Sequence, residues 1–341
     1  MRVAVYYNNR DLRLEERPRP EPGPGELLLR VDASGICGSD VMEWYRAGKA
    51  PLVLGHEVAG EVEETGDNVA AFKPGDRVVA THHVPCNACL YCRSDRHSVC
   101  ETLRTTHFDP GGFSEYVRLP AVNVERGTFP IPRAMSFEEA SFVEPLACVV
   151  RAQRIAGVKA GETVAVLGSG ISGVLQIQLA RATGVSRIIA TDVHPYRMEM
   201  ALRLGADAAI QATEDVPEKI LEVNDGRPAD RVLVCTAALP AITQAFRCVD
   251  RGGTILFFAP APPGTTFPVP LNDIWKDGIT ITNSYAGPPA DMRTALDLIA
   301  TRRVDVSSMV THRLPLAETG KGFRLVEEAA ESLKVIVEPQ R

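Results

Sequence analysis

The chain has 341 residues, 45% hydrophobic and 23% charged, with 27 glycines, 25 prolines and a formal net charge of −6. These fractions exclude a disordered, collagenous or coiled-coil protein, and the length predicts about two domains, each able to bury its own core. Acidic residues outnumber basic ones, 43 to 37, and no basic tract is present, which argues against nucleic acid as a partner.

The amino terminus, Met1-Arg2 before the apolar run 3–7, has no long apolar segment followed by small residues, so no signal peptide is expected. Up to about Pro145 the reading is strand and turn. Strands are expected over 2–7, 26–31, 58–63, 77–80 and 113–119, separated by the turn-rich 18–25, by Lys73-Pro74-Gly75-Asp76 and by Gly111-Gly112. Many short strands at this spacing suggest a small barrel or sandwich. From about residue 147 the pattern changes. Residues 163–167 form an apolar strand, after which Ile171, Val174, Leu175 and Leu179 follow at helical spacing until Gly184. Strand 187–192 comes next, and then a helix from Pro195 to Gly205. A weak strand at 208–210 and stronger ones at 231–235 and 254–259 continue the alternation, which predicts a doubly wound parallel sheet. The tail reads as a strand at 279–283, a helix over 290–301, a run at 309–314 and a helix over 316–330. The charge-free stretch 163–180 is too rich in glycine, serine and glutamine to span a membrane, and a cytoplasmic protein is expected.

Four of the eight cysteines, Cys86, Cys89, Cys92 and Cys100, fall within 15 residues. In a cytosolic chain of this size such clustering argues for metal over disulfides. Four thiolates around one tetrahedral zinc make a closed site that stabilises a loop. An iron–sulfur cluster is the competing use, but the ferredoxin run has a shorter last spacing and a following proline, where this chain has Glu101. Cys148, Cys235 and Cys248 read as core thiols.

Gly168-Ser169-Gly170-Ile171-Ser172-Gly173 lies between a predicted strand and a predicted helix, and Asp192 ends the next strand. That context makes it a dinucleotide fingerprint. Gly168 permits the turn, Gly170 lets the backbone approach a pyrophosphate, and Gly173 lets helix pack on strand. The N–H groups opening the helix, those of Ile171 and Ser172 among them, face the phosphates. Asp192 favours NAD over NADP by accepting from the ribose hydroxyls, and Arg197 nearby softens that preference.

A third signal is dispersed over Gly35-Ile36-Cys37-Gly38-Ser39-Asp40, Gly55-His56-Glu57 and Glu144-Pro145. Cysteine, histidine and carboxylate can hold a zinc with one position open; by spacing alone, a single cysteine and histidine read equally as packing residues. With the four-cysteine run and the glycine fingerprint, in this order and separation, the chain resembles the zinc-containing medium-chain dehydrogenases/reductases, especially the sorbitol, threonine and galactitol-phosphate types. The resemblance implies an α/β protein with a GroES-like catalytic domain (1–146 and 285–341) and a Rossmann NAD-binding domain (147–284). It implies two zincs per chain, a structural one on Cys86, Cys89, Cys92 and Cys100 and a catalytic one on Cys37 and His56 with Glu57 or Glu144. Ser39 takes the place of the hydroxyl that hydrogen-bonds the substrate oxygen and relays its proton. Many relatives continue that relay through a histidine where this chain has Met42, so the proton leaves by another route, the nicotinamide ribose or Glu43; His82 and His83 are further candidates for the pocket. His97, His107, His194 and His312 read as surface or packing residues.

The implied reaction is reversible oxidation of a secondary alcohol, polyol or cyclitol foremost, to a ketone with hydride transfer to NAD. Threonine-type amino alcohols and polyol phosphates are the alternatives within the family, and a zinc- and NAD-binding sensor or scaffold is the non-enzymatic one. A homodimer or homotetramer acting on a small molecule, with neither nucleic acid nor membrane as partner, completes the expectation.

Overall fold

A computed structural model describes all 341 residues. The chain divides into two compact units, one of residues 1–147, 286–302 and 306–341, the other of residues 148–285 and 303–305.

The second unit is built on six parallel strands in the order Ala208–Gln211, Arg187–Asp192, Thr163–Leu167, Ala229–Val234, Val249–Phe257, Thr280–Asn283. Numbered along the chain this is the 3-2-1-4-5-6 order of a doubly wound dinucleotide fold. Every residue of Thr163–Leu167 is buried, as expected of a strand covered on both faces. Val164 and Val166 pack with Ile177, Ala180 and Ile188, whereas Ala165 and Leu167 pack with Ile220, Val232 and Ile255; the period of two puts successive residues on opposite faces. The strand that the sequence signals most weakly is the edge strand Ala208–Gln211, where pairing on one side only tolerates a short, small-residue segment.

In the first unit the main sheet runs Val310–Pro315, Lys334–Glu338, Leu27–Gly35, Glu57–Thr65, Arg77–Ala80, Thr128–Pro130, with Tyr116–Leu119 also pairing to Leu27–Gly35. A second sheet joins Asp11–Glu16, Arg2–Asn8 and Leu52–Val53. Two of these strands escape a pattern reading. Asp11–Glu16 carries only Leu12 and Leu14 as apolar residues and buries none of its six fully, because its partner strand supplies the buried side chains of the pair. Lys334–Glu338 opens on a lysine, which reads as a surface charge but is fully buried. The 14-residue helix Val143–Ala156 was also unexpected, and the helix anticipated over 316–330 begins as the 3-10 turn Leu316–Glu318 and becomes α-helical over Thr319–Glu328. Val335 and Val337 of the late strand share a core with Tyr6, Ile36, Phe113 and Phe323, so tail residues are built into the same body as the first strands. No helix is long and apolar enough to cross a membrane.

Candidate active site and metal centres

Antiparallel pairing of Leu27–Gly35 with Glu57–Thr65 sets Gly35 opposite Glu57. Cys37, just past the end of one strand, therefore meets His56 and Glu57 at the start of the other. One ligand atom from each of the three lies within 4.8 Å of the others. A Cβ on Gly35 would fall against the Glu57 carboxylate and the end of the Lys334 side chain, so a larger residue there would have to displace that pair.

Asp40, fully buried, organises the group. Its Oδ2 accepts the Cys37 N–H at 3.0 Å and its Oδ1 lies 3.4 Å from His56 Nδ1, which leaves Nε2 as the nitrogen able to ligate. Burial alone would raise the Asp40 pKa, but His56, Arg46 and that N–H hold it below the usual carboxylate value. Burial alone would likewise lower His56, yet Asp40 and Cys37 hold its pKa well above an ordinary imidazole's. The set attracts positive charge.

Glu57 and Lys334 form an ion pair with both side chains buried, and Lys334 Nζ also donates to the Ile36 carbonyl at 3.3 Å. The other carboxylate oxygen, Glu57 Oε1, is buried with no hydrogen-bond partner. An orphaned anionic oxygen is costly, and a cation shared with Cys37 and His56 would satisfy it. A zinc fits these donors: thiolate, imidazole and carboxylate are its usual ligands.

Glu144 lies in a different group. It gathers with His82 and His83, again within 4.8 Å, and the His82 ring stands 4.8 Å from that of His56. Burial, reinforced by neighbouring imidazoles, pushes His82 well down and His83 down to about 3. Both are neutral at pH 7 and can accept a hydrogen bond or a metal.

The four sulfurs of Cys86, Cys89, Cys92 and Cys100 also lie within 4.8 Å of one another. A tetrahedral zinc with Zn–S bonds of about 2.3 Å has S···S edges of about 3.8 Å; the observed Cys86–Cys92 and Cys89–Cys92 separations are 3.9 and 3.5 Å. All eight cysteines are free thiols. The N–H groups of Ala88 and Cys89 point at Cys86 Sγ and lower its pKa to about 6, whereas burial raises Cys92 to about 12. In metal-stripped protein, iodoacetamide will label Cys86 before Cys92, with the rate rising as pH passes through about 6; equal labelling would refute this arrangement. Cys235 and Cys248, raised to about 12 by burial, stay inert.

In the second unit Gly168 has φ of +96°, a backbone conformation that favours glycine. A Cβ on Gly173 would overlap the Gly168 carbonyl. Helix Ile171–Thr183 starts at Gly170 with no side-chain cap, so its first N–H groups remain available. Asp192 braces the turn: Oδ2 accepts from Ser169 N–H at 2.8 Å and Oδ1 from His194 N–H at 2.9 Å. The Arg197 guanidinium stands over Gly170, with Nη1 3.6 Å from where a Cβ would be, and burial lowers its pKa although Asp192 opposes this.

Three residues of the site went unassigned by pattern reading. Asp40 lay inside a recognised motif without a role. Lys334 carried a usable signal, a lone lysine within Leu333-Lys334-Val335-Ile336-Val337. Arg46, which hydrogen-bonds Ser39, carried none.

Residues 23–133 match the model of the alcohol dehydrogenase GroES-like domain, and residues 173–301 match that of the zinc-binding dehydrogenases. The chain is 32% identical to sorbitol dehydrogenase of Gallus gallus over 346 residues, covering 98% of this chain and 95% of the relative. It is 32% identical to L-threonine 3-dehydrogenase of Bacillus licheniformis, covering 94% of each. Among solved structures, a Sinorhizobium meliloti 1021 protein described as a zinc-binding dehydrogenase and bound to NADP superposes with a TM-score of 0.89, at 31% identity and 99% coverage of both chains.

Proposed function

Because the chain belongs to the zinc-containing medium-chain dehydrogenases, we propose that it reversibly oxidises a secondary alcohol, a polyol or cyclitol foremost, to the ketone with NAD. In this reading residues 1–146 and 285–341 form the catalytic domain and 147–284 the coenzyme domain. The observation that carries it is the convergence of Cys37, His56 and Glu57 around one point, with Glu57 Oε1 left unsatisfied.

Cys37, His56 and Glu57 would hold the catalytic metal, with Glu144 beside them, and the four-cysteine loop a structural one. When bound, zinc supplies the Lewis acidity that lowers a hydroxyl pKa, and NAD supplies the hydride acceptor. Asp40 orients His56, and Lys334 orients Glu57. Ser39 would hydrogen-bond the reacting oxygen through its hydroxyl. Gly168, Gly170 and Gly173, with the N–H groups of Ile171 and Ser172, receive the pyrophosphate. Asp192 accepts from the ribose and repels a 2′-phosphate, and Arg197 limits that repulsion.

Replacing Asp192 by serine should move the NAD-to-NADP ratio of kcat/KM toward NADP about 10-fold or more, the size of one charged hydrogen bond. An unmoved ratio would remove Asp192 from coenzyme selection. A threonine-type amino alcohol is the second reading, favoured by the similarity to L-threonine 3-dehydrogenase. Metal analysis with an NAD-reduction screen over polyols, cyclitols, amino alcohols and simple alcohols tests both. Two zincs and turnover of a vicinal diol support the first; turnover confined to amino alcohols supports the second.

A homodimer or homotetramer is further proposed. Its support is the open edge strand Thr280–Asn283 with Leu271, Trp275 and Ile281 exposed nearby, Trp275 at 82%, a surface of the kind that pairs with another copy. Sedimentation equilibrium measures which.

A further inference from the structure

Arg46 ends the short helix Glu43–Arg46. Its Nε donates to the Ser39 carbonyl at 3.0 Å and its Nη2 to the Ser39 hydroxyl oxygen at 3.1 Å, with Asp40 Oδ1 3.5 Å away. The guanidinium also lies 4.6 Å from the Tyr45 ring centroid, and Lys49 Nζ approaches the same ring at 4.4 Å. The Arg46 side chain is only 14% exposed, so its charge is held in the protein and not dispersed in water.

Geometry locates that charge: Asp40 Oδ1, 3.5 Å from Arg46 Nη2, is also 3.4 Å from His56 Nδ1, so the guanidinium lies beside the Cys37–His56 group. The carboxylate nearest Arg46 is Asp40, which is already shared with His56 and the Cys37 N–H. Asp40 is thus divided between Arg46 and His56, and Nη1 of Arg46 makes no hydrogen bond within the protein.

We propose that Arg46, with Lys49 behind it, forms an oxyanion subsite beside Ser39, so that the alcohol oxidised carries a carboxylate or phosphate close to its carbinol carbon. The inference rests on the dehydrogenase reading above and narrows its substrate to an acidic or phosphorylated polyol. A neutral hydroxyl can also accept from Arg46, but a charge-assisted bond to an oxyanion is about twice as strong and is matched by the guanidinium fork. Arg46 has a second effect. A guanidinium donates and never accepts, so the Ser39 hydroxyl cannot pass a proton toward it. With Arg46 donating to it, the Ser39 hydroxyl keeps its own O–H for a partner other than Arg46.

The test uses zinc-replete protein with NAD and matched sets of a hexitol, its hexonate and its hexitol phosphate, in several configurations. In at least one set an anionic member should exceed the hexitol in kcat/KM about 10-fold. Arg46→Met should cut that anionic-to-neutral ratio about 10–100-fold, chiefly through KM, and Arg46→Lys should restore part of it. The proposal is overturned if no anionic member outruns its hexitol, or if the ratio is unchanged in Arg46→Met. Calorimetric binding of the hexonates to the same proteins separates this inference from the reading beneath it. Should no alcohol be turned over, the dehydrogenase reading falls; hexonate binding lost in Arg46→Met and regained in Arg46→Lys then sustains the subsite, and equal or absent binding in wild type and variant ends it.

Discussion

Cys37→Ser is expected to lower kcat/KM by about three orders of magnitude while leaving the protein folded and the four-cysteine loop loaded with zinc. The size follows from the several kcal/mol that a Lewis acid contributes at a developing alkoxide, at about 1.36 kcal/mol per tenfold. Cys37 lies beyond the last residue of its strand, is only half-buried, and the neighbouring ladder and core do not depend on its sulfur. Zinc content should fall by one equivalent per chain. A variant that keeps both its zinc and its rate would remove Cys37 from the catalytic set, whereas loss of all zinc together with the fold would mean that the two centres are not independent.

The second large effect concerns stability. In metal-stripped protein Lys334→Met should destabilise the first unit by about 3–5 kcal/mol, the usual result of leaving one member of a buried ion pair without its partner. Both side chains are essentially inaccessible, 0% for Lys334 and 1% for Glu57, so water cannot take over the missing charge. The Glu57→Gln/Lys334→Met double variant should recover most of the loss, since no uncompensated charge remains. Adding zinc to the single variant should also restore part of it, because the cation then supplies the counter-charge. Denaturant titrations followed by fluorescence and circular dichroism measure all three. A double variant no more stable than Lys334→Met alone would show that the lysine acts by packing.

Much of this arrangement is legible in the amino-acid sequence, for physical reasons that differ by region. The parallel sheet of the second unit announces itself because its central strands are covered on both faces, so that residues 164–167 and 188–190 appear as apolar runs within them. The four-cysteine loop and the glycine turn are legible because their chemistry is local, all ligands or N–H groups lying within a few residues. The set proposed for catalysis is not local. Cys37, His56 and Glu57 converge through strand register, which spacing cannot express and only the family resemblance suggested. That resemblance left Glu57 and Glu144 as alternatives for one metal, and the structure places them in adjoining groups, Glu57 with Cys37 and His56, Glu144 with His82 and His83. Arg46 was illegible altogether, since a basic residue at the end of a short exposed helix is indistinguishable from a solvated one until its neighbours are known.

The Glu57–Lys334 pair spans 277 positions of the chain, and this has a bearing on biosynthesis. A ribosome that has finished the strands carrying Cys37, His56 and Glu57 must still translate the whole coenzyme-binding unit before the lysine exists. Throughout that interval the nascent amino-terminal body holds an acidic side chain destined for burial with nothing opposite it. Its sheet also lacks the strand that will close beside Leu27–Gly35. N-terminal domains ordinarily fold first during synthesis, but this one cannot complete itself ahead of its successor. Completion of the Cys37–His56–Glu57 group is thereby deferred until late in translation, when both halves of the polypeptide have been made.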